Sequence, residues 1–302
     1  MVSQRSYNVL QVLPELDAGG VERTTVEVAD ALVQAGHGAF VVSGGGRLVP
    51  RLLKTGATHF TARIGSKRLL SFPWRVAAIR KLIVLNGIDI VHARSRAPAW
   101  AAWRAALAEG VPFVTTYHGI YNEGVPGKRR YNSIMARGDR VIANSRFTAD
   151  HVMATHKTPE ARIRVVHRGV DMALFDPAAV PPARVEAVWR TWGVSPEDRV
   201  VLLPGRLTRW KGQIVAIEAL GRLPGDWVLV CAGDAQGRDA YERELRELAQ
   251  RLGVADRLRL PGHETDMPAA LLAADRVITP STDPEAFGRT AAEAQAMGRW
   301  VV

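Results

Sequence analysis

In this 302-residue chain, the residue types and spacing that first suggest chemistry are a basic loop and a pair of acids. Gly205-Arg206-Leu207-Thr208-Arg209-Trp210-Lys211-Gly212 sets a guanidinium and an ammonium five residues apart on a loop bounded by glycines. Two cations converging on several oxygens are what a diphosphate needs, the guanidinium as a planar fork and the ammonium as a point charge. The spacing is not that of a Walker A loop, which ends in Gly-Lys-Ser/Thr, and a plain basic surface loop stays open as the rival reading. Downstream, Glu285 and Glu293 bracket Phe287-Gly288 in a stretch that leads into a helical pattern. There Glu285 falls in the loop before the helix and Glu293 two turns inside it. The Phe287 and Gly288 amides are then offered to a phosphate at the helix N-terminus. Two acids flanking an anion-binding helix start suit a ligand with phosphates in its middle and hydroxyl-bearing rings on both sides, which describes a nucleotide sugar.

Two smaller signals lie in the first half. Gly19-Gly20-Val21-Glu22 follows a strand and opens a helix, where glycines let backbone N–H groups approach an anion. It is not G-x-G-x-x-G, so a turn with an acid in the first helical turn competes with any dinucleotide reading. His118-Gly119 stands just past a strand, where an imidazole suits either proton state; an ordinary loop histidine fits as well.

The elements that must position these residues alternate. Residues 8–13, 40–43, 89–92, 113–117, 140–143 and 164–167 read as strands, with helical patterns at 20–35, 48–54 and 73–85. Residues 175–184, with Asp176-Pro177 and Pro181-Pro182, show no periodicity and read as a linker. A second series follows, with strands at 200–203, 227–231, 258–260 and 276–279 and helices at 213–220, 240–252 and 291–297. Strands alternating with helices predict mostly parallel sheets covered on both faces. The fold class expected is α/β, two doubly wound Rossmann-like domains facing a cleft, residues 1–172 and 173–302. The chain stops on Trp300-Val301-Val302, which looks like the opening of a further strand, so the second domain reads as incomplete. Ligands of such sheets bind at the carboxyl ends of strands.

Composition narrows the class. Apolar residues are 47% and charged residues 23%, which excludes disorder, collagen and coiled coil. No apolar run reaches the roughly 18 residues of a membrane span, and residues 1–14 lack a leader pattern. Cys231 is the only cysteine, which excludes an intramolecular disulfide and a thiolate zinc cluster. A cytoplasmic protein is expected. The net charge of +10 is uneven, +13 over residues 1–170 and −3 over the rest, so the first half is expected to meet an anion. Arg63, Lys67, Arg68, Arg75, Arg80 and Lys81 interleave with Leu69, Leu70, Phe72, Trp74, Val76 and Ile79, and a second cluster spans Lys128, Arg129, Arg130, Arg137 and Arg140. Such a mixture suits a helix lying on the inner face of an anionic membrane; the competing view turns its apolar residues into the core. No aromatic RNA-binding signature accompanies the charge, so nucleic acid is not expected.

In order and spacing, Gly19-Gly20-Val21-Glu22, His118, residues 205–212 and the Glu285/Glu293 pair resemble the retaining glycosyltransferases of family 4, which have the GT-B fold. Asn144-Ser145, Gly169-Val170-Asp171, Gly233-Asp234 and Asp275 support the resemblance, which covers essentially the whole chain. It implies that the second domain binds a UDP-, GDP- or ADP-linked sugar and the first a glycan or lipid-linked acceptor, as in cell-envelope polysaccharide or lipopolysaccharide synthesis. Carried over by position, Arg206 and Lys211 clamp the diphosphate, with Gly205, Gly233 and Asp234 on the donor side. Glu285 holds hydroxyls of the transferred sugar and Glu293 the ribose. Phe287 and Gly288 face the phosphate or sugar, His118 hydrogen-bonds the sugar, and the Gly19–Gly20 turn closes over the donor. Base contacts are expected from residues 233–237 and 262–265. Neither a metal nor a cofactor is implied, and the chain has no D-x-D pair at the site. Departures are Arg168 where Asn is common, Arg299-Trp300 after Met297-Gly298, and the missing continuation after Val302. The alternatives are a relative that binds nucleotide sugar without catalysis, a nucleotide-sugar epimerase, and a phosphorylase.

Overall fold

A computed structural model describes residues 5–17, 19–66, 68–121 and 123–302. Lys67 of the first basic cluster and the first four residues of the leader expectation lie outside the described residues. The chain divides into two compact units, Met1–His167 and Arg168–Val302.

In the first unit the order is β1 (Asn8–Val12), α1 (Gly20–Gln34), β2 (Gly38–Ser43), α2 (Val49–Lys54), β3 (Thr58–Thr61), α3 (Phe72–Leu85) and β4 (Ile90–Ala93). It continues with α4 (Arg96–Glu109), β5 (Phe113–Tyr117), α5 (Lys128–Asn132), β6 (Arg140–Ala143), α6 (Arg146–His156) and β7 (Ile163–Val165). Seven parallel strands lie in the order β3-β2-β1-β4-β5-β6-β7. The second unit runs α7 (Pro182–Trp192), β8 (Arg199–Pro204), α8 (Gln213–Leu220), β9 (Trp227–Ala232), α9 (Asp239–Arg251) and β10 (Leu258–Gly262). It ends with α10 (Met267–Leu272), β11 (Arg276–Val277), α11 (Arg289–Ala296) and β12 (Trp300–Val301). Its five parallel strands lie in the order β10-β9-β8-β11-β12. Both sheets start at an inner strand, wind one way, then reverse. The reversal falls between β1 and β4 in one unit and between β8 and β11 in the other. At such switch points the loops after the two strands part and leave a crevice.

The buried strands are nearly continuous apolar runs because helices cover both faces. Along β8, Val200 and Leu202 join one core with α7, α10 and α11, while Val201 and Leu203 join the other with α8 and α9. That is the two-residue alternation of a strand read from both sides.

Two expectations are corrected here. Residues 175–184 are not a linker. Phe175 is 4% and Val180 8% exposed, both packed with Val188 and Trp192 in the core of the second unit. Pro182 starts α7, where a fixed φ and a missing N–H cost nothing. The division between units falls earlier, after His167. Second, α4 fills residues where no element was expected, as do β3, α5, α6, α7 and α10. The buried face of α4 is small, with Ala99, Ala101, Ala102, Ala105 and Ala106 against the sheet and α3, so hydrophobic periodicity does not announce it.

Candidate functional site

The residues singled out in the second unit gather around its switch point. The loop after β8 carries Arg206 and Lys211, the loop after β11 carries Glu285, and α11 follows. Backbone contacts hold these loops together. The Leu207 N–H donates to the Asp234 carbonyl at 3.2 Å and the Thr282 N–H to the Trp210 carbonyl at 2.8 Å. Glycines allow the closest approaches: a methyl at Gly233 would overlap the Gly205 carbonyl, and one at Gly212 would overlap the Pro280 carbonyl. Gly212 also sits at φ 75°, a conformation that side chains disfavour. Asp234 shapes the adjoining turn, its carboxylate accepting from the Gln236 N–H at 2.7 Å.

Lys211 Nζ donates to Glu285 Oε1, so residues 74 apart in sequence meet at the centre of the site. The same oxygen accepts from Ser281 Oγ at 2.8 Å. The ammonium also lies 4.5 Å from the Trp210 ring centroid, a cation–π contact. Arg206 is exposed, and among the described residues no carboxylate pairs with its guanidinium. Next to it Arg209 forks onto Glu244 at 2.8 and 2.6 Å. The loop's two arginines thus differ: Arg209 is tied to α9, while Arg206 is exposed with no carboxylate partner among the described residues.

Gly288 caps α11 at φ 76° without a side-chain acceptor, which leaves the Phe287–Gly288 segment at a helix N-terminus. Because α11 begins at Arg289, Glu293 lies one turn inside it rather than two. It is 8% exposed and pairs with Arg289 Nε at 3.4 Å across that turn. A buried carboxylate demands such a partner. Arg289 was missed as part of the site; its spacing of four from Glu293 was the signal.

The first unit holds the other expected residues separately. His118 follows β5, half-buried, and its carbonyl accepts from Asn144 Nδ2 at 3.1 Å. Asn144 is buried and accepts in turn from Thr148 Oγ1 at 2.9 Å, while Ser145 caps α6 through the Thr148 N–H at 3.1 Å. Around this turn is an unforeseen aromatic cluster. Tyr117 and Tyr121 lie 4.5 Å apart, and Arg96 sits 4.1 Å from the Tyr121 centroid. Burial pushes the Tyr121 phenol up to about 12. Tyr117 Oη meets His156 Nε2 at 3.2 Å, and burial lowers the pKa of that imidazole despite Glu123 at 3.8 Å. Gly19 is the N-cap of α1, and the Glu22 carboxylate folds back against it. The negative charge at that helix start is supplied by the chain itself.

The basic cluster of α3 divides. Arg75 turns inward at 4% exposed and donates to the Arg68 carbonyl at 3.3 Å; Ile79 is fully buried, and Phe72 and Val76 pack on the core. Outward lie Leu70 at 99% and Trp74 at 55% exposed, with Val84, Leu85, Arg80 and Lys81. Among the described residues no helix is long and apolar enough to cross a membrane.

Sequence and fold comparisons agree with this geometry. Residues 18–174 match Glycosyltransferase Family 4, and residues 189–302 match Glycosyl transferases group 1. The D-inositol 3-phosphate glycosyltransferase of Mycobacterium marinum is 32% identical over 231 residues, covering 71% of this chain and 48% of the relative. That of Xylanimonas cellulosilytica is 33% identical over 229 residues, covering 71% and 55%. The match therefore spans about half the length of these curated relatives. A glycosyltransferase crystal structure from Rickettsia africae has a TM-score of 0.88 at 37% identity, covering 99% of this chain and 79% of that one. Anabaena HepE in complex with UDP-glucose has a TM-score of 0.82 at 25% identity, covering 97% and 79%. With two doubly wound parallel sheets of the GT-B type, a cation–acid contact at the second switch point and matches to both halves, this chain belongs to glycosyltransferase family 4.

Proposed function

We propose that the chain transfers a hexose-type sugar, with retention, from a nucleoside diphosphate donor to a glycan or lipid-linked acceptor of the cell envelope. The observation that carries this is the meeting of Lys211 with Glu285 at the switch point of the second sheet. A cation for a phosphate and an acid for sugar hydroxyls stand side by side there, as the linkage between diphosphate and sugar requires. Arg206 and Lys211 take the diphosphate, Glu285 the transferred sugar and Glu293 the ribose. The Phe287 and Gly288 amides take phosphate or sugar oxygens, and Gly205, Gly233 and Asp234 form the wall beside them. His118, Gly19 and Gly20 are assigned to the transferred sugar and acceptor. In the step itself the bond from the anomeric carbon to the phosphate oxygen breaks as the acceptor oxygen bonds to that carbon on the same face. The acceptor proton passes to the departing phosphate oxygen, so the residues assigned here need supply no nucleophile. Arg206 and Lys211 stabilise the charge that develops on the phosphate. No cofactor or metal enters the scheme.

A uridine donor is favoured by the complex of Anabaena HepE with UDP-glucose. An anionic acceptor is favoured by the net charge of +13 in residues 1–170 and by the inositol phosphate in the names of the curated relatives. Exposed Leu70, just before α3, and the exposed Trp74, Arg80 and Lys81 of α3 suit adsorption to an anionic inner leaflet.

Thermal shift with UDP, GDP and ADP against a duplex oligonucleotide tests the donor site. A nucleotide-selective shift that Arg206→Ala or Lys211→Ala diminishes is expected; a response to the duplex alone would reject the assignment. Vesicle sedimentation tests the surface: binding to anionic vesicles at low salt, weakened by Trp74→Ser, is expected. Equal binding to neutral and anionic vesicles would remove it.

A further inference from the structure

Gln213 is the first residue of α8 and has no exposed surface, although its helix neighbours on the buried side are Ala216, Ile217 and Leu220. A polar side chain in such a place needs partners for both ends of its amide. It has them. Nε2 donates to the Arg206 carbonyl at 3.0 Å, and Oε1 accepts from the Tyr241 hydroxyl at 3.3 Å. Tyr241 is buried on α9, where burial pushes its phenol up to about 12, so it remains a donor at any ordinary pH. The same helix holds the middle of the loop, with the Arg209 guanidinium 5.3 Å from the Tyr241 centroid and forked onto Glu244. Arg206 is exposed and no carboxylate among the described residues pairs with its guanidinium, so its hold on the fold is through its backbone, where the carbonyl is anchored by Gln213.

We infer that Gln213 is a positioning residue for the donor site: anchored by Tyr241, its amide fixes the Arg206 peptide and so the point on the loop from which the Arg206 side chain reaches the donor. This role rests on the assignment of Arg206 to the diphosphate.

The test is UDP affinity of the full chain by calorimetry, with thermal unfolding measured alongside, in the wild type and in an Arg206→Ala background. Gln213→Leu, which loses both hydrogen bonds, is expected to weaken UDP about five- to tenfold in the wild-type background. In the Arg206→Ala background, itself about tenfold weaker, the same change is expected to cost less than about twofold. Tyr241→Phe removes one hydroxyl and carries the test if Gln213→Leu does not fold; about a two- to threefold loss is expected, again only when Arg206 is present. Equal losses in both backgrounds, or a lowered Tm with unchanged UDP affinity, would show Gln213 to be a packing residue and overturn the inference alone. A folded wild type that binds none of UDP, GDP and ADP would overturn the donor site and this inference together.

Discussion

Glu285 accepts from two donors, Lys211 Nζ and Ser281 Oγ, through one oxygen. Glu285→Gln keeps an acceptor for Ser281 and releases the lysine's charge. UDP affinity should then hold or rise, while sugar transfer falls about 100-fold, as when one group stabilising a transition state is lost. Calorimetry and donor turnover check this; parallel loss of both would place Glu285 in the phosphate site instead. A second residue-scale effect concerns acid stability. Two hydrogen bonds from Arg184, at 2.7 and 2.6 Å, hold the Asp266 carboxyl below the usual carboxylate range, and the Ala269 N–H adds to them. A pKa lower in the folded than in the unfolded chain stabilises above the unfolded value, about 3.9, and that support vanishes as pH falls through the folded value. Arg184→Ala should therefore flatten the acid limb of the unfolding profile below about pH 4. An unchanged acid limb would show that other carboxylates dominate it. Motif spacing was enough to pick out Lys211 and Glu285 singly, but not their contact across 74 residues, which the switch point creates. Nor does spacing show that Arg75 points inward.

At the scale of elements, close backbone approach is what fixes the site. Gly212→Ala would press a methyl into the Pro280 carbonyl at a positive φ, so the loops after β8 and β11 must separate. A destabilisation of about 2–4 kcal/mol and loss of UDP binding are expected; urea unfolding measures the first and calorimetry the second. Leu202→Ala, in the centre of β8, should cost about 2–5 kcal/mol by leaving a cavity between the sheet and its helices. An intact Cm would mean that the helices close over the gap. The inner strands were legible because sheets covered on both faces need uninterrupted apolar runs, whereas β3, the edge strand Thr58–Thr61, offers no such run and was missed. Helix α4 was not legible, since an alanine face carries little hydrophobic contrast against its surroundings. The Pro-rich segment 175–184 hid its anchors in the same way: Phe175 and Val180 are its two large apolar residues, and two give no period.

Across the whole molecule, two compact units of opposite net charge meet in a stretch that carries exposed apolar residues. Val166, Met172 and Leu174 are exposed, and no helix or strand lies between Val165 and Pro177. Limited trypsin digestion is expected to cut first after Arg168, at the boundary between the units, and to yield two resistant fragments. First cleavage inside either unit would contradict that division. The charge asymmetry could be read from composition alone; which arginines face water could not, because it depends on how α3 lies on its sheet.

The contact between Lys211 and Glu285 also bears on how the molecule lets go. A lysine with an internal counterion gives up that partner whenever a phosphate arrives, so the net gain on capture is small. On departure the carboxylate is at hand to reclaim the lysine. If Lys211 takes the donor phosphate as proposed, this arrangement would trade tight retention of the spent nucleotide for rapid clearing.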